Sequence, residues 1–235
     1  MTRYASPLAL GLAILAGALL FASGPLYRSG SAPLLTAFTL MRWAAYLGGA
    51  AAVLAIVALL LARGQRSLAV AALLIGGIAF AIPYQWQRSA RTVPRIHDIT
   101  TDTTDPPTFV AVVPLRAKAP NKLDYSQEVA RQQREGYPDL GPRTLKVPRE
   151  QAFQRALEAA RSAGWEIVAA DQSAGRIEAT DTTRWFGFKD DIVVRLTPQG
   201  DTTRVDVRSV SRVGGSDVGT NARRIREYLS ALGPA

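Results

Sequence analysis

The chain lacks cysteine altogether and has one histidine in 235 residues. The first absence excludes disulfides, cysteine-ligated zinc, iron–sulfur clusters and thiol nucleophiles. It does not separate one side of a membrane from the other. The second leaves His97 as the sole imidazole available for acid–base work. Acid is missing too, but only from one end. No Asp or Glu precedes Asp98, whereas Arg3, Arg28, Arg42, Arg63, Arg66, Arg88, Arg91 and Arg95 all lie there. The rest of the chain is close to charge balance. The net charge of +9 therefore comes mostly from arginines flanking apolar runs, as membrane spans require. It gives no footprint for nucleic acid, and no nucleic-acid partner is expected.

What is abundant before residue 87 is apolar bulk. Pro7–Leu26, Trp43–Ala62 and Ser67–Gln85 carry no charge, and each approaches the ~20 residues that cross a hydrocarbon core as helix. Small residues (Gly11, Gly17, Gly48, Gly49, Gly76, Gly77) punctuate them, which lets helix backbones approach closely. Trp43, Tyr46, Tyr84 and Trp86 stand near the ends as an aromatic belt. The short turn Arg63-Gly64-Gln65-Arg66 predicts an antiparallel hairpin of the second and third spans. The first run also reads as a signal peptide started by Arg3. Phe21 and Pro25 crowd its cleavage pattern at Ala22-Ser23, so a retained span is expected.

After residue 87 the composition changes. Residues 88–123 read as a Pro-rich tether and residues 124–235 as a water-soluble domain, along which the tether packs through Phe109–Val113. A short helix is placed around Tyr125–Glu135 and a loop at Tyr137–Pro142. Pro148 suits a helix start, and Phe153, Ala156, Leu157 and Ala160 recur at helical spacing up to Gly164. Trp165–Ala170, Arg176–Thr182, Asp191–Thr197 and Thr202–Ser211 read as strands. In the last, Thr203, Val205, Val207 and Ser209 share one face, while Arg204, Asp206 and Arg208 share the other. A final helix opens at Gly214-Gly215-Ser216-Asp217, with Val218, Ala222, Ile225, Leu229 and Leu232 as its apolar stripe. The fold class expected is α+β: three N-terminal transmembrane helices, then a four-stranded antiparallel sheet with two packed helices.

Ile96-His97-Asp98-Ile99-Thr100-Thr101-Asp102, Tyr137-Pro138-Asp139, Gly164-Trp165-Glu166-Ile167, Thr182–Phe188 and Arg208–Gly214 occur in order. In these segments the chain resembles the domain of unknown function 1499 family, over about residues 95–233. The resemblance implies a bacterial, envelope-associated protein. It implies no activity and lends no residue a role.

The residues themselves offer three candidate sites. His97 with Asp98, Asp102 and Asp105 has the chemistry for a metal or a general base, although one histidine without ligand spacing equally caps the tether. Asp181–Asp191 sets Trp185, Phe186 and Phe188 beside Arg184 and Lys189. This is either a turn whose aromatics plug the core with charges in water, or an aromatic lip for headgroups or a ligand. Ser211–Asp217, with Arg208 and Arg212 nearby, offers backbone N–H groups of Gly214, Gly215 and Ser216 at a helix start. Capping by Ser216 or Asp217 competes with that reading, and no P-loop ending is present. Strands two and four run in one direction, so Arg184, Trp185, Arg212 and the Gly214–Ser216 amides are expected at one end of the sheet.

The function expected is a non-enzymatic binding module in the bacterial inner membrane, with no cofactor and no metal. Its partners would be the bilayer and an anionic lipid, a cell-wall fragment or a membrane protein. A hydrolase using His97 with Asp98 or Asp102 is the alternative. The arginine count leans toward a cytoplasmic soluble domain. The family resemblance favours the periplasm, which is the side expected.

Overall fold

The structure is a computed structural model and describes residues 4–61 and 65–233. Arg3, the end of the second span at Ala62 and the Arg63-Gly64 part of the expected turn lie outside the described residues. Three helices come first, α1 (Ala5–Arg28), α2 (Leu34–Leu61) and α3 (Arg66–Thr92). Each is long and apolar enough to cross a membrane, with mean hydropathy of 2.1, 2.4 and 2.0. All three outrun their apolar windows; no proline stands between Pro33 and the second window, nor between Gln85 and Pro94. Arg42, expected just outside the second span, consequently lies inside α2.

The buried faces of these helices are made of small residues. On α2 they are Ala37, Met41, Ala44, Gly48, Ala51, Ala55 and Ala58, alternating four and three residues apart. On α3 they are Ala69, Ala72, Gly76 and Ala79. That spacing keeps one seam facing its partners along the helix, and small side chains let backbones touch. A Cβ added to Gly48 would lie 2.6 Å from the Gly76 carbonyl oxygen, so no larger residue fits there. The large side chains, such as Leu60, Leu74 and Ile78, point outward.

The sheet domain comes next: β1 (Asp98–Thr100), a 3-10 turn at Pro114–Arg116, α4 (Gln127–Gly136), β2 (Arg143–Leu145), α5 (Arg149–Ser162), β3 (Glu166–Asp171), β4 (Arg176–Thr182), β5 (Lys189–Gln199), β6 (Thr202–Ser211) and α6 (Thr220–Ala231). The sheet runs β1-β6-β5-β4-β3, with β2 also on β6, and every pairing is antiparallel. It has six strands rather than the expected four, and beside the two expected packed helices stands α4, the short helix placed around Tyr125–Glu135. The added strands are three residues each, too short to show alternation. They share the outer edge of β6, which a four-stranded meander would leave bare.

One face of the sheet carries the main core. Ile177, Ala179, Ile192, Val194, Leu196, Val205 and Val207 pack against Phe153, Ala156, Ala160, Ala222 and Ile225 of α5 and α6. Trp165 stacks on Tyr228 at 4.8 Å. The expected facing of β6 holds: Val205 and Val207 lie in this core. The opposite face is covered by the Pro-rich stretch, whose Phe109 and Val112 pack on Val193 and Val210. Val218 departs from expectation. It precedes α6 with φ +53°, a left-handed conformation unusual for a β-branched residue, and Gly219 continues it at φ +79°.

By their contacts the residues form two units. One holds the helices up to Ser89 together with Arg184–Gly187; the other holds Ala90–Thr183 and Phe188–Ala235.

Candidate functional site

Alternation on three neighbouring strands sends charged side chains to the face away from α5 and α6. These are Glu178 from β4, Asp191 and Arg195 from β5, and Arg204, Asp206 and Arg208 from β6, with the neutral Thr180 hydroxyl of β4 among them. A buried charge survives only when paired and hydrogen-bonded, and here they are paired with one another. Arg208 forks onto Asp98, with Nε–Oδ1 at 3.0 Å and Nη2–Oδ2 at 2.7 Å, and both side chains are buried. Asp191 accepts from Arg116 at 2.5 Å, from Arg212 twice at 2.8 Å and from the Thr180 hydroxyl at 2.7 Å. Burial works to raise its pKa. The bonds from Arg212, Thr180 and Arg116 outweigh burial and hold the carboxyl below the ordinary range. Asp206 binds Arg204 at 3.0 Å and Arg195 at 3.3 Å.

The same groups pin the covering stretch. The buried Glu178 carboxylate accepts from the Val110 and Val112 amides at 3.0 Å and pairs with Arg176 at 3.1 Å. Arg208 donates to the carbonyls of Pro107 and Leu123, and Arg212 to that of Leu115. Glu178→Gln is expected to cost about 1.5–3 kcal/mol, the range for bonds to a charged group. Hydrogen exchange at the Val110 and Val112 amides should quicken by the corresponding factor. Unchanged exchange there would mean that the apolar contacts alone hold the stretch.

The expected residues thus have specific positions. Arg208 and Arg212 spend their guanidinium groups on Asp98 and Asp191. The strand directions are as expected: β4 and β6 both pair antiparallel with β5, so Thr182 and Ser211 end at the same side of the sheet. Gly214 lies at φ +92°, and Asn121 donates to its carbonyl at 2.8 Å. A Cβ on Gly215 would stand 3.8 Å from Arg95 Nε. The start of α6 is capped from within. Asp217 accepts from the Gly219 and Asn221 amides at 3.0 and 2.7 Å, and Ser216 from the Val218 amide at 3.2 Å. Asn221 accepts locally from Arg224, one turn on. It bridges Ser209, Ser211 and the His97 carbonyl.

Arg184 and Trp185 belong to the other unit. Phe186 is 2% exposed and meets Tyr27 of α1, Phe38 of α2 and Trp86 of α3 at centroid distances of 6.2, 5.8 and 5.7 Å. Trp185, 38% exposed, lies 5.5 Å from Phe21 and directly over Gly24, where a Cβ would stand 2.1 Å from its ring. Arg28 Nη1 donates to the Arg184 carbonyl at 3.0 Å. The plug foreseen for these aromatics therefore sits among the apolar helices. Of the nearby charges, Arg184 and Lys189 are exposed as expected, whereas Asp190 and Asp191 are buried.

His97 is half-buried, and its carbonyl accepts from Ser211 N and Asn221 Nδ2. Its proposed carboxylate partners are engaged by arginines. Asp98 is held by Arg208, while Asp102 accepts from Arg204 at 2.7 Å and from the Thr104 and Asp105 amides. Burial works to raise the Asp102 pKa, but those amides and arginines leave it below the ordinary value. Among the described residues no group of three or more His, Asp or Glu is placed to hold a metal. A groove of about 370 Å³ lies along α5 and α6, lined by Trp165, Asp181, Arg224 and Tyr228 among others. Arg224 there is spent on Asp181 and Asp190, both at 2.7 Å. His97 lines neither this groove nor the one beside Gln133 and Tyr137.

Sequence reasoning missed Asp190, Asp191, Glu178 and Arg116 as a buried set. The signal for the acids was their place inside aliphatic strands, where solvated charge is out of keeping. Arg28 shows in the sequence only as a span flank. An antiparallel sheet with two helices on one face and an ion-paired, covered second face defines the class of the domain. Residues 98–232 match the family described as protein of unknown function, DUF1499, and the chain belongs to that family. No curated protein matches the chain.

Proposed function

We propose that this protein is a non-enzymatic binding module anchored in the bacterial inner membrane, with its sheet domain on the periplasmic side. Its ligand is an acidic component of the envelope: a lipid, a cell-wall fragment or a membrane protein. The observation that carries the reading is the fate of the carboxylates. Asp98, Glu178, Asp190, Asp191 and Asp206 are buried and each is paired with arginine. Such groups hold structure; general acids, bases and metal ligands need a free lone pair or proton facing a cleft. Asp98 and Asp102, the carboxylates offered to His97, are already taken by arginines. The apolar helices account for the anchor.

The test has two arms. Full-length protein purified without chelator should carry no stoichiometric metal, and His97→Ala should bind acidic envelope lipids and wall fragments as the parent does. Metal that disappears in His97→Ala would overturn the reading in favour of a metal-assisted hydrolase. A phosphatase fused after Ala235 should be active, and a green fluorescent fusion at the same point dark; the reverse pair would place the domain in the cytoplasm.

A further inference from the structure

The membrane unit has a charge inventory of one sign. Neither the helices up to Ser89 nor Arg184–Gly187 contains an Asp or Glu. Four of its arginines stand at one end. Arg28 closes α1, and Arg88 stands near the end of α3. Arg42 lies one turn on from Phe38 on the same face of α2, and Arg184 accompanies Phe186, which touches Phe38 and Trp86. All four arginines are exposed. In the sheet domain every buried arginine has found a carboxylate; here none exists within the unit to neutralise them.

Aromatic groups mark the same level. Trp185 lies on the backbone of α1 at Gly24 and pairs with Phe21, which is 65% exposed. A part-exposed indole beside arginines suits the boundary between acyl chains and headgroups. Arg28 is fixed there by its bond to the Arg184 carbonyl and by packing of its stem against Gly187, where a Cβ would come within 2.9 Å of Arg28 Cγ. A held guanidinium with donors to spare recognises phosphate oxygens geometrically, which a mobile ammonium does not.

We propose that this end of the membrane unit, centred on Arg28 and Arg184 beside the Phe21–Trp185 pair, binds the phosphodiester headgroup of an anionic phospholipid of its own bilayer. This rests on the binding-module reading above and names the ligand. It moves the site away from Arg212, which Asp191 already holds.

The experiment uses full-length protein in nanodiscs of phosphatidylcholine mixed with phosphatidylglycerol, with retained lipids counted by native mass spectrometry. The parent should retain phosphatidylglycerol preferentially. Each arginine near a charged surface contributes about fivefold, so Arg28→Gln and Arg184→Gln should each lower the preference by about that factor. The double variant should lower it about twenty-five-fold. Arg184→Gln keeps the carbonyl that Arg28 uses, so it tests charge without breaking that bond. Arg66→Gln, at the opposite end of α3, should leave the preference intact. A double variant that still selects phosphatidylglycerol, an equal loss in Arg66→Gln, or a parent without preference would each overturn the assignment. None of these outcomes would bear on whether the sheet domain is an enzyme, which the metal and His97 measurements decide.

Discussion

Asp191→Asn should destabilise the sheet domain by about 3–5 kcal/mol, because it removes the shared counter-charge of two arginines and leaves one of them buried. Arg116, with 4% of its side chain exposed, cannot turn to water. Arg212, at 15%, is closer to solvent and loses less. Hydrogen exchange of β5 and β6 peptides in the full-length, detergent-solubilised protein measures the loss. Replacing the pair together, Asp191→Leu with Arg116→Met, should recover most of it, since an apolar pair of similar size removes the uncompensated charge. The pH dependence has a defined sign. The folded-state pKa of Asp191 lies below its ordinary value, so its contribution is complete above the unfolded pKa of about 3.9. It is lost as pH falls through the folded value. The parent should lose stability in that acid window, and Asp191→Asn should lack that component. An Asn variant within about 1 kcal/mol of the parent would show that the arginines are hydrated in place and that the pairing is not what holds this face.

Phe186→Ala should be comparably severe for the membrane unit. The ring is buried at 2% exposure between side chains of all three apolar helices, and truncating a buried Phe costs about 3–5 kcal/mol. Phe186→Leu, which keeps the apolar bulk, should cost under about 1.5 kcal/mol. Trp185→Ala should fall below Phe186→Ala, because that ring is already partly exposed. The absence of cysteine supplies a clean readout. A single thiol introduced by Ala37→Cys, at a fully buried position on α2, should be alkylated slowly in the parent and rapidly when combined with Phe186→Ala. Equal labelling rates and an unchanged melting temperature in detergent would show that the helices pack without the plug.

Much of the architecture was legible because it depends on local patterns. Uncharged runs near 20 residues have few alternatives to a spanning helix. The alternation in Thr202–Ser211 assigned each face of β6 correctly, since the pleat has a fixed period of two. The order of the four long strands and their antiparallel sense followed from short connections. Asp98–Thr100 and Arg143–Leu145 were not legible as strands, because three residues define no period. Their pairing is set by the free edge of β6. The left-handed backbone at Val218 ran against its residue type and had no local sign.

For the candidate site the division falls between residue type and partner. Arg184, Trp185, Arg208 and Arg212 stood out by chemistry, yet chemistry alone does not say which arginine is already neutralised. That depends on which carboxylate lies within about 3 Å, a long-range matter: Asp98 meets Arg208 across 110 residues and Arg116 meets Asp191 across 75. Composition by itself determined that the chain carries three runs apolar enough to cross a membrane, an acid-free cationic end and no thiol chemistry, since charge and hydropathy act through the local solvent whatever the fold. Only the tertiary structure decided that Arg208 and Arg212 are spent inside the sheet domain and that Phe186 is seated among the apolar helices. Buried charges and buried rings take their roles from neighbours distant in the chain, and those neighbours are chosen by packing.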